Sequence, residues 1–182
     1  MNFVCLQKVI SNVTMKTLCE QGGVFMGFEE RIEKAGQICE SYRQKGFHCS
    51  ESSIRACSEI MGLKLSDDIL RCASGFRGGG GGWWDRCGVV EAGCMLISYM
   101  YGRLTPEQKI WDYSKLIRVL HDRFIEKFGS IECRDLRPMA YELSGAAQNC
   151  SYMYIEGAKI VADVLLNSEE ILAQVPLEER NA

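Results

Sequence analysis

Cysteines are the residues of this chain that are most able to do chemistry, and ten of its 182 residues are cysteines. Four of them lie in the opening turn of a predicted helix or immediately before it, namely Cys49, Cys87, Cys133 and Cys150. Free backbone N–H groups and the helix dipole at such a position stabilise a thiolate and lower its pKa. Four thiolates brought together by four helix starts would make a nest for an anionic iron–sulfur cluster, and the same geometry would suit redox-active thiols.

The spacing of the cysteines excludes several familiar sites. The chain contains no C-x-x-C, so a thioredoxin-type dithiol is absent, and no C-x-x-C-H, so covalent c-type haem is absent too. The usual zinc and ferredoxin spacings are also missing. Position on the predicted helices is therefore more informative than spacing along the chain.

The remaining cysteines are predicted to have other roles. Cys39, Cys57 and Cys72 fall within helices at or near apolar positions, where a free cysteine behaves as a small hydrophobe. Cys94 follows Cys87 by two helical turns and so shares its face, which makes it a lesser candidate for the site.

Glu91 lies one helical turn after Cys87, in the most apolar predicted helix. A carboxylate there needs a partner or a raised pKa. It would serve either as a proton relay or unusual ligand beside the thiols, or as an ion-pair partner of Arg77 or Arg86. His48 directly precedes the first of the four cysteines and is a lesser candidate ligand or base.

A glycine-rich loop precedes Cys87. It contains neither G-x-x-x-x-G-K-[ST] nor a strand before it, so a nucleotide site is not indicated. We predict instead that backbone N–H groups of this loop and of Gly88 approach whatever the thiolates hold. The loop glycines concerned are Gly78, Gly79, Gly80, Gly81 and Gly82. Trp83 and Trp84, which follow, would either shield the site from solvent or simply pack.

Apolar residues recur at helical spacing along most of the chain, and no convincing alternating run is present. The sequence therefore predicts an all-α fold, a compact multi-helix bundle whose glycine-rich loop leads into a buried central helix over 87–101. His121 is predicted to be solvated on the polar side of its helix. The other predicted helices begin near Glu29, at Ser50 and Ser66, at Thr105 with Pro106 in its first turn, at Ser130 as a short turn ended by Pro138, at Asn149 and at Ser168.

Composition restricts the classes of function. Hydrophobic residues make up 47% and charged residues 25%, and the net charge of −3 argues against a nucleic-acid partner. No apolar stretch is long enough to span a membrane and no secretory signal is visible, so we expect a cytoplasmic protein with reduced thiols. We predict a loosely ordered extension over 1–25, a single helical domain over 26–175 and a charged tail over 176–182.

Several stretches of the chain resemble the redox-active protein family named after its C_GCAxxG_C_C cysteine pattern. They are GFHCSES around Cys49, ASGFRGGGGGWWDRCGVVEAG through Cys87, YGR at 101–103, KFGSIECRDL around Cys133, and NCSYMYIEGAKIVADVL from Cys150. The resemblance implies a small, all-helical, cytoplasmic redox protein of prokaryotes. Similarity of the family to a domain of split-Soret cytochromes implies an iron–sulfur cluster on the four cysteines. The chain departs from the family pattern after Cys87, where it has Glu91 and a shifted glycine.

Three hypotheses follow. The first is an electron-transfer or redox-sensing protein that binds an iron–sulfur cluster through Cys49, Cys87, Cys133 and Cys150, and that serves an unidentified redox partner protein. The second is a thiol–disulfide oxidoreductase with Cys87 as the attacking thiolate and Glu91 as the proton acceptor. The third is a binding module with a structural zinc site on the same four cysteines. A homodimer is compatible with a module of this size, but nothing in the sequence establishes one.

Overall fold

The computed structural model describes residues 26–146 and 149–174. Over these residues the regular structure is helical, with one isolated bridge and no strand, which confirms the all-α prediction. The helices are α1 (Phe28–Gln44), α2 (Cys49–Ile60), α3 (Asp67–Ala73), α4 (Gly88–Tyr101), α5 (Trp111–Phe128), α6 (Cys133–Leu143), α7 (Ser151–Leu166) and α8 (Ser168–Ala173). None of them combines the length and hydropathy that crossing a bilayer requires. The predicted extension and charged tail lie outside the described residues.

The chain divides into two compact units, residues 1–30 and 31–182. In the described part of the first, the N–H of Gly27 donates a hydrogen bond to the Glu30 carboxylate at 3.3 Å. All the packing described below lies within the second unit.

Helix α4 occupies the centre of the second unit, as predicted. It packs against α2, α5 and α7, and its fully buried side chains include Val89, Val90, Leu96 and Ile97. Its sequence explains this position, because apolar residues surround the helix on nearly all sides and each must be covered by a neighbour. The segment that leads into α4 is consequently anchored at the middle of the molecule.

Gly157 allows α7 to approach the central helix closely. A Cβ at this position would lie 2.8 Å from Val89 Cγ1 and 2.9 Å from Phe124 Cζ, both of which are shorter than real contacts. The ring of Phe124 is fully buried and lies 5.1 Å, centroid to centroid, from the ring of Phe128. Helices α4, α5 and α7 therefore meet around Phe124 with little free space.

Two predicted helix boundaries were wrong. The helix expected from Thr105 begins at Trp111, because the side-chain oxygen of Gln108 accepts hydrogen bonds from the N–H groups of Leu104 and Thr105 and fixes a turn. Pro138, expected to end a short turn, lies within α6. Burial of the apolar residues on both sides of it, including Leu136, outweighs one missing helical hydrogen bond.

The start of α2 also differs from the prediction. Its N-cap is His48, not Ser50, and the Glu51 carboxylate accepts a hydrogen bond from the His48 N–H at 2.9 Å. Ser50 is fully buried inside the helix. Cys49 thereby becomes the first residue of α2.

The packing around Phe124 predicts a large effect of its truncation. We expect Phe124→Ala to lower the free energy of unfolding by about 3–5 kcal/mol, because the three helices around it cannot close the cavity. The measurement is urea denaturation followed by circular dichroism. Ile125→Ala is the matched control, because its side chain is 47% exposed on the same helix, and it should change stability by about 0.5 kcal/mol or less. Equal losses in both variants would contradict this packing.

Candidate functional site

Four cysteines stand at four helix starts. Cys49 and Cys133 are the first residues of α2 and α6, and Cys87 and Cys150 directly precede α4 and α7. Cys87 and Cys133 are 5% and 8% exposed, and the other two are half-buried. Each thiol therefore lies beside backbone N–H groups that have no partner inside their own helix.

The fold brings these four thiols together. Ionisation of Cys49 would raise the pKa of Cys87, Cys133 and Cys150, that of Cys133 would raise the pKa of Cys87, and that of Cys150 would raise the pKa of Cys133. All four are free thiols. Helices that start far apart in sequence thus place one set of sulfur atoms in a common, largely buried space.

Backbone hydrogen bonds join the segment before Cys87 to the start of α6. The Cys87 N–H donates to the carbonyl of Ile131 at 2.8 Å, and the Cys133 N–H donates to the carbonyl of Asp85 at 2.6 Å. An antiparallel bridge between Arg86 and Glu132 lies between these two bonds. This ladder holds Cys87 and Cys133 side by side independently of any bond between their side chains.

Two glycines leave room for the sulfur of Cys49. The Gly78 N–H lies 3.5 Å from Cys49 Sγ and donates to it. A Cβ on Gly88 would lie 2.5 Å from the same sulfur and 2.8 Å from the carbonyl oxygen of Phe76. Only a residue without a side chain allows the start of α4 to lie this close to the start of α2.

The other loop glycines shape the turn. All five glycines from 78 to 82 have positive φ, a conformation that favours glycine. Gly79 is buried, and a Cβ there would lie 2.5 Å from the backbone nitrogen of Asp85. Gly80, Gly81 and Gly82 face open space. The structure thus places Gly78 and Gly88 at the thiols, whereas Gly80, Gly81 and Gly82 lie in the exposed part of the turn.

Burial, not the helix starts, controls the protonation of these thiols. Desolvation raises the pKa of all four and brings that of Cys133 to about 11. Backbone N–H groups do act in the opposite direction, as those of Gly78, Ser50 and Gly88 do on Cys49, but they do not outweigh desolvation. The lowered thiol pKa expected from sequence was therefore wrong for the metal-free protein, whose site thiols are protonated at neutral pH.

Glu91 and Cys94 belong to a different cluster of side chains. The Glu91 carboxylate lies 3.7 Å from the Arg86 guanidinium, and desolvation raises its pKa while Arg86 lowers it. Cys94 Sγ lies 3.8 Å from His121 Nε2. His121 is half-buried, so the expectation of a solvated histidine was wrong, because α5 turns it towards α4. Glu91 also bonds to Cys87, but through the backbone, from its N–H to the Cys87 carbonyl at 3.0 Å.

The remaining sequence candidates lie at the surface. His48 is exposed, and Trp83 and Trp84 are 82% and 51% exposed, so neither tryptophan buries its ring over the thiols. Arg77, considered as a partner of Glu91, is exposed as well.

Three residues near the thiols were missed by the sequence analysis. Arg137 follows Cys133 by one helical turn. Desolvation raises the pKa of Cys133 and of Cys150, and the positive charge of Arg137 partly opposes that rise. Tyr154 follows Cys150 by one turn, is 8% exposed, and has its pKa raised by burial and then by the charge of Cys49. A charge on Cys49 would also raise the pKa of Cys39. The i+4 spacing from Cys133 and Cys150 is the signal that could have identified Arg137 and Tyr154.

Cysteine thiolates are ligands of single zinc ions and of iron–sulfur clusters alike. Within residues 26–146 and 149–174, no three His, Cys, Asp or Glu side chains are grouped to hold one metal ion. Tetrahedral zinc requires sulfur atoms about 3.8 Å apart, as Zn–S bonds of about 2.3 Å dictate. A cluster of several iron atoms takes thiolates that are further apart, and it accepts hydrogen bonds from backbone N–H groups such as that of Gly78.

Comparison with known proteins agrees with this set of cysteines. The profile of the family described as "Putative redox-active protein (C_GCAxxG_C_C)" matches residues 47–164, which is more than half of the chain and includes all four cysteines. An "Uncharacterized protein" of Archaeoglobus fulgidus is 28% identical over 118 residues, which cover 60% of this chain and 78% of the relative. No solved structure matches.

The close approach at Gly88 predicts a specific sensitivity to a single methyl group. We expect Gly88→Ala to lower the free energy of unfolding by about 1–3 kcal/mol, because the Phe76 carbonyl is backbone and cannot simply rotate away from the added Cβ. Gly75→Ala is the control, since a Cβ there meets nothing within 4 Å and its φ is not positive. Urea denaturation of both variants is the measurement, and equal stability of the two would contradict the close contact.

The raised thiol pKa values predict slow alkylation of the metal-free protein. A pKa of about 11 for Cys133, against the usual 9.0, lowers its thiolate population about 100-fold near neutral pH. Its rate with iodoacetamide should therefore rise about ten-fold per pH unit until pH approaches 11. At pH 7.5 the exposed Cys72 should react at least about ten-fold faster, as followed by peptide mass spectrometry. Equal rates for Cys133 and Cys72 would contradict the raised pKa of Cys133.

Proposed function

Because the chain belongs to the C_GCAxxG_C_C family of redox-active proteins, we propose that it binds an iron–sulfur cluster through Cys49, Cys87, Cys133 and Cys150 and uses it for one-electron transfer. The observation that carries this proposal is the convergence of four thiols from four helix starts on one largely buried space. When bound, such a cluster supplies reversible one-electron chemistry at a potential that its surroundings set.

The protein's own residues would perform three tasks at such a site. The ladder between the segment before Cys87 and the start of α6 fixes the spacing of two ligands. The Gly78 N–H, aimed at Cys49 Sγ, stabilises negative charge on that sulfur. The apolar core around α4, including Val89 and Val90, excludes water. Coordination of metal in place of the thiol protons would compensate the negative charge of four buried thiolates, which burial otherwise disfavours.

Thiol–disulfide exchange through Cys87 is the second candidate, and the geometry favours it less. Burial raises the pKa of Cys87 well above its usual range, so its nucleophilic thiolate is scarce at neutral pH. The carboxylate of Glu91, its supposed proton acceptor, faces Arg86. Zinc is the third candidate and would require the four sulfur atoms to move closer together.

The test is anaerobic purification, followed by reconstitution with iron and sulfide, visible spectroscopy, and assay of iron, acid-labile sulfide and zinc. We expect a broad charge-transfer absorption with matched iron and sulfide. Serine substitution of each of the four cysteines should reduce the bound iron several-fold.

Cys72→Ser is the matched control, because Cys72 is exposed and outside the site, and it should retain the full iron content. A colourless protein without iron or sulfide after reconstitution would contradict the proposal. A disulfide among the same cysteines would then favour thiol exchange, and stoichiometric zinc would favour the structural metal.

A further inference from the structure

Arg137 is a half-buried cation at the edge of the four-cysteine site. It lies one helical turn after Cys133, on the same side of α6, and its charge acts on both Cys133 and Cys150. Within the described part of the chain, no carboxylate lies at ion-pair distance from it. Its Nε donates a hydrogen bond to the hydroxyl of Tyr141 at 2.7 Å, which leaves its positive charge uncompensated.

Two other arginines near the site are paired with carboxylates. Arg43, whose charge also acts on Cys150, makes two hydrogen bonds of 2.7 Å to the Glu40 carboxylate. Arg134, three residues before Arg137, lies 3.1 Å from the Glu132 carboxylate and 3.8 Å from that of Asp85. Arg137 differs from both, because among the described residues no carboxylate lies within ion-pair distance of it.

Two aromatic rings hold this cation in place. The guanidinium carbon of Arg137 lies 4.3 Å from the centre of the Trp84 ring and 5.4 Å from that of Tyr141. Stacking on tryptophan favours a planar guanidinium and leaves its edge free for an anion.

Trp84 reaches this position through an unfavourable backbone conformation. Its φ is +68°, the one positive value among the described non-glycine residues. Such a conformation costs about 1–3 kcal/mol and persists when its surroundings enforce it. Here the Trp84 N–H donates to the Gly78 carbonyl at 2.9 Å, and its carbonyl accepts from the Arg134 N–H at 3.0 Å. Glycine would adopt the same backbone conformation without strain. The presence of tryptophan at this position therefore indicates a role for its ring.

We propose that Arg137 is the fixed counter-cation of the cluster held by the four cysteines, and that Trp84 is the residue that positions it. This inference rests on the proposed function. Addition of one electron makes the site one unit more negative, and a nearby cation stabilises that reduced state. Arg137 therefore raises the midpoint potential of the site, and Trp84 contributes to this effect through Arg137.

The experiment measures the midpoint potential of the reconstituted protein by optical titration with dithionite and mediator dyes. Arg137→Gln should disfavour the reduced state about ten-fold, which for one electron is a shift of about 59 mV to more negative potential. Arg137→Lys, which keeps the charge without the planar stack, should shift it less. Arg134→Gln is the matched control. It removes one positive charge from the exposed side of the same helix, where the side chain is 54% exposed and solvent and salt screen it, so it should shift the potential clearly less than Arg137→Gln does.

The variant Trp84→Gly tests the contribution of the ring separately from that of the backbone conformation. It keeps the positive φ at lower cost and removes the stack, so it should reproduce part of the Arg137→Gln shift without loss of stability. The double variant Trp84→Gly/Arg137→Gln should have the potential of Arg137→Gln alone, because Trp84 acts through Arg137.

The outcomes are separable. Wild-type protein that acquires no cluster overturns the proposed function and this inference with it. Wild-type and Arg137→Gln proteins that contain equal iron and sulfide and have equal potentials overturn the inference alone. Additive shifts in the double variant would overturn the role of Trp84. If Arg137→Gln fails to fold, Arg137→Lys and Trp84→Gly must still shift the potential, and unchanged values in both would refute the inference.

Discussion

The approach of Cys49 Sγ to the backbone of Gly88 is the contact on which the site depends. It brings the start of α2 against the start of the central helix, because residue 88 has no side chain that would separate them. Once these two starts touch, Cys87 lies next to Cys49, because it directly precedes Gly88. The ladder to residues 131–134 then brings Cys133 to the same place. One close contact and one short ladder thus position three of the four thiols, and α7 supplies the last.

Desolvation is the force that gives this arrangement its chemical character. The helix starts offer hydrogen bonds to sulfur, and the arginines offer positive charge, yet burial keeps the thiols of the metal-free protein protonated. A site of this kind is a poor source of free nucleophilic thiolate. Under the function proposed above, metal would replace the thiol protons, so the same burial would not oppose it.

Much of this organisation could be predicted from sequence. The apolar residues around α4 predicted a central helix, and helix position alone selected the four cysteines that the family pattern also contains.

The errors have local causes. The late start of α5 depends on hydrogen bonds that the Gln108 side-chain oxygen accepts from backbone N–H groups, which helix propensity does not reveal. The raised thiol pKa values depend on how completely the helices cover each sulfur, which is a property of tertiary packing. The i+4 spacing from Cys133 indicates the position of Arg137, but its lack of a carboxylate partner among the described residues is a property of the tertiary structure.

The ladder between the segment before Cys87 and the start of α6 has a consequence for the order of folding. The two segments it joins are separated in sequence by the whole of α4 and α5. Contacts between such distant segments form late, because the intervening chain must first become compact. The helices can therefore gain their local structure before the four cysteines meet. The four-cysteine site would then be among the last parts of the molecule to form, after the helices that supply its cysteines.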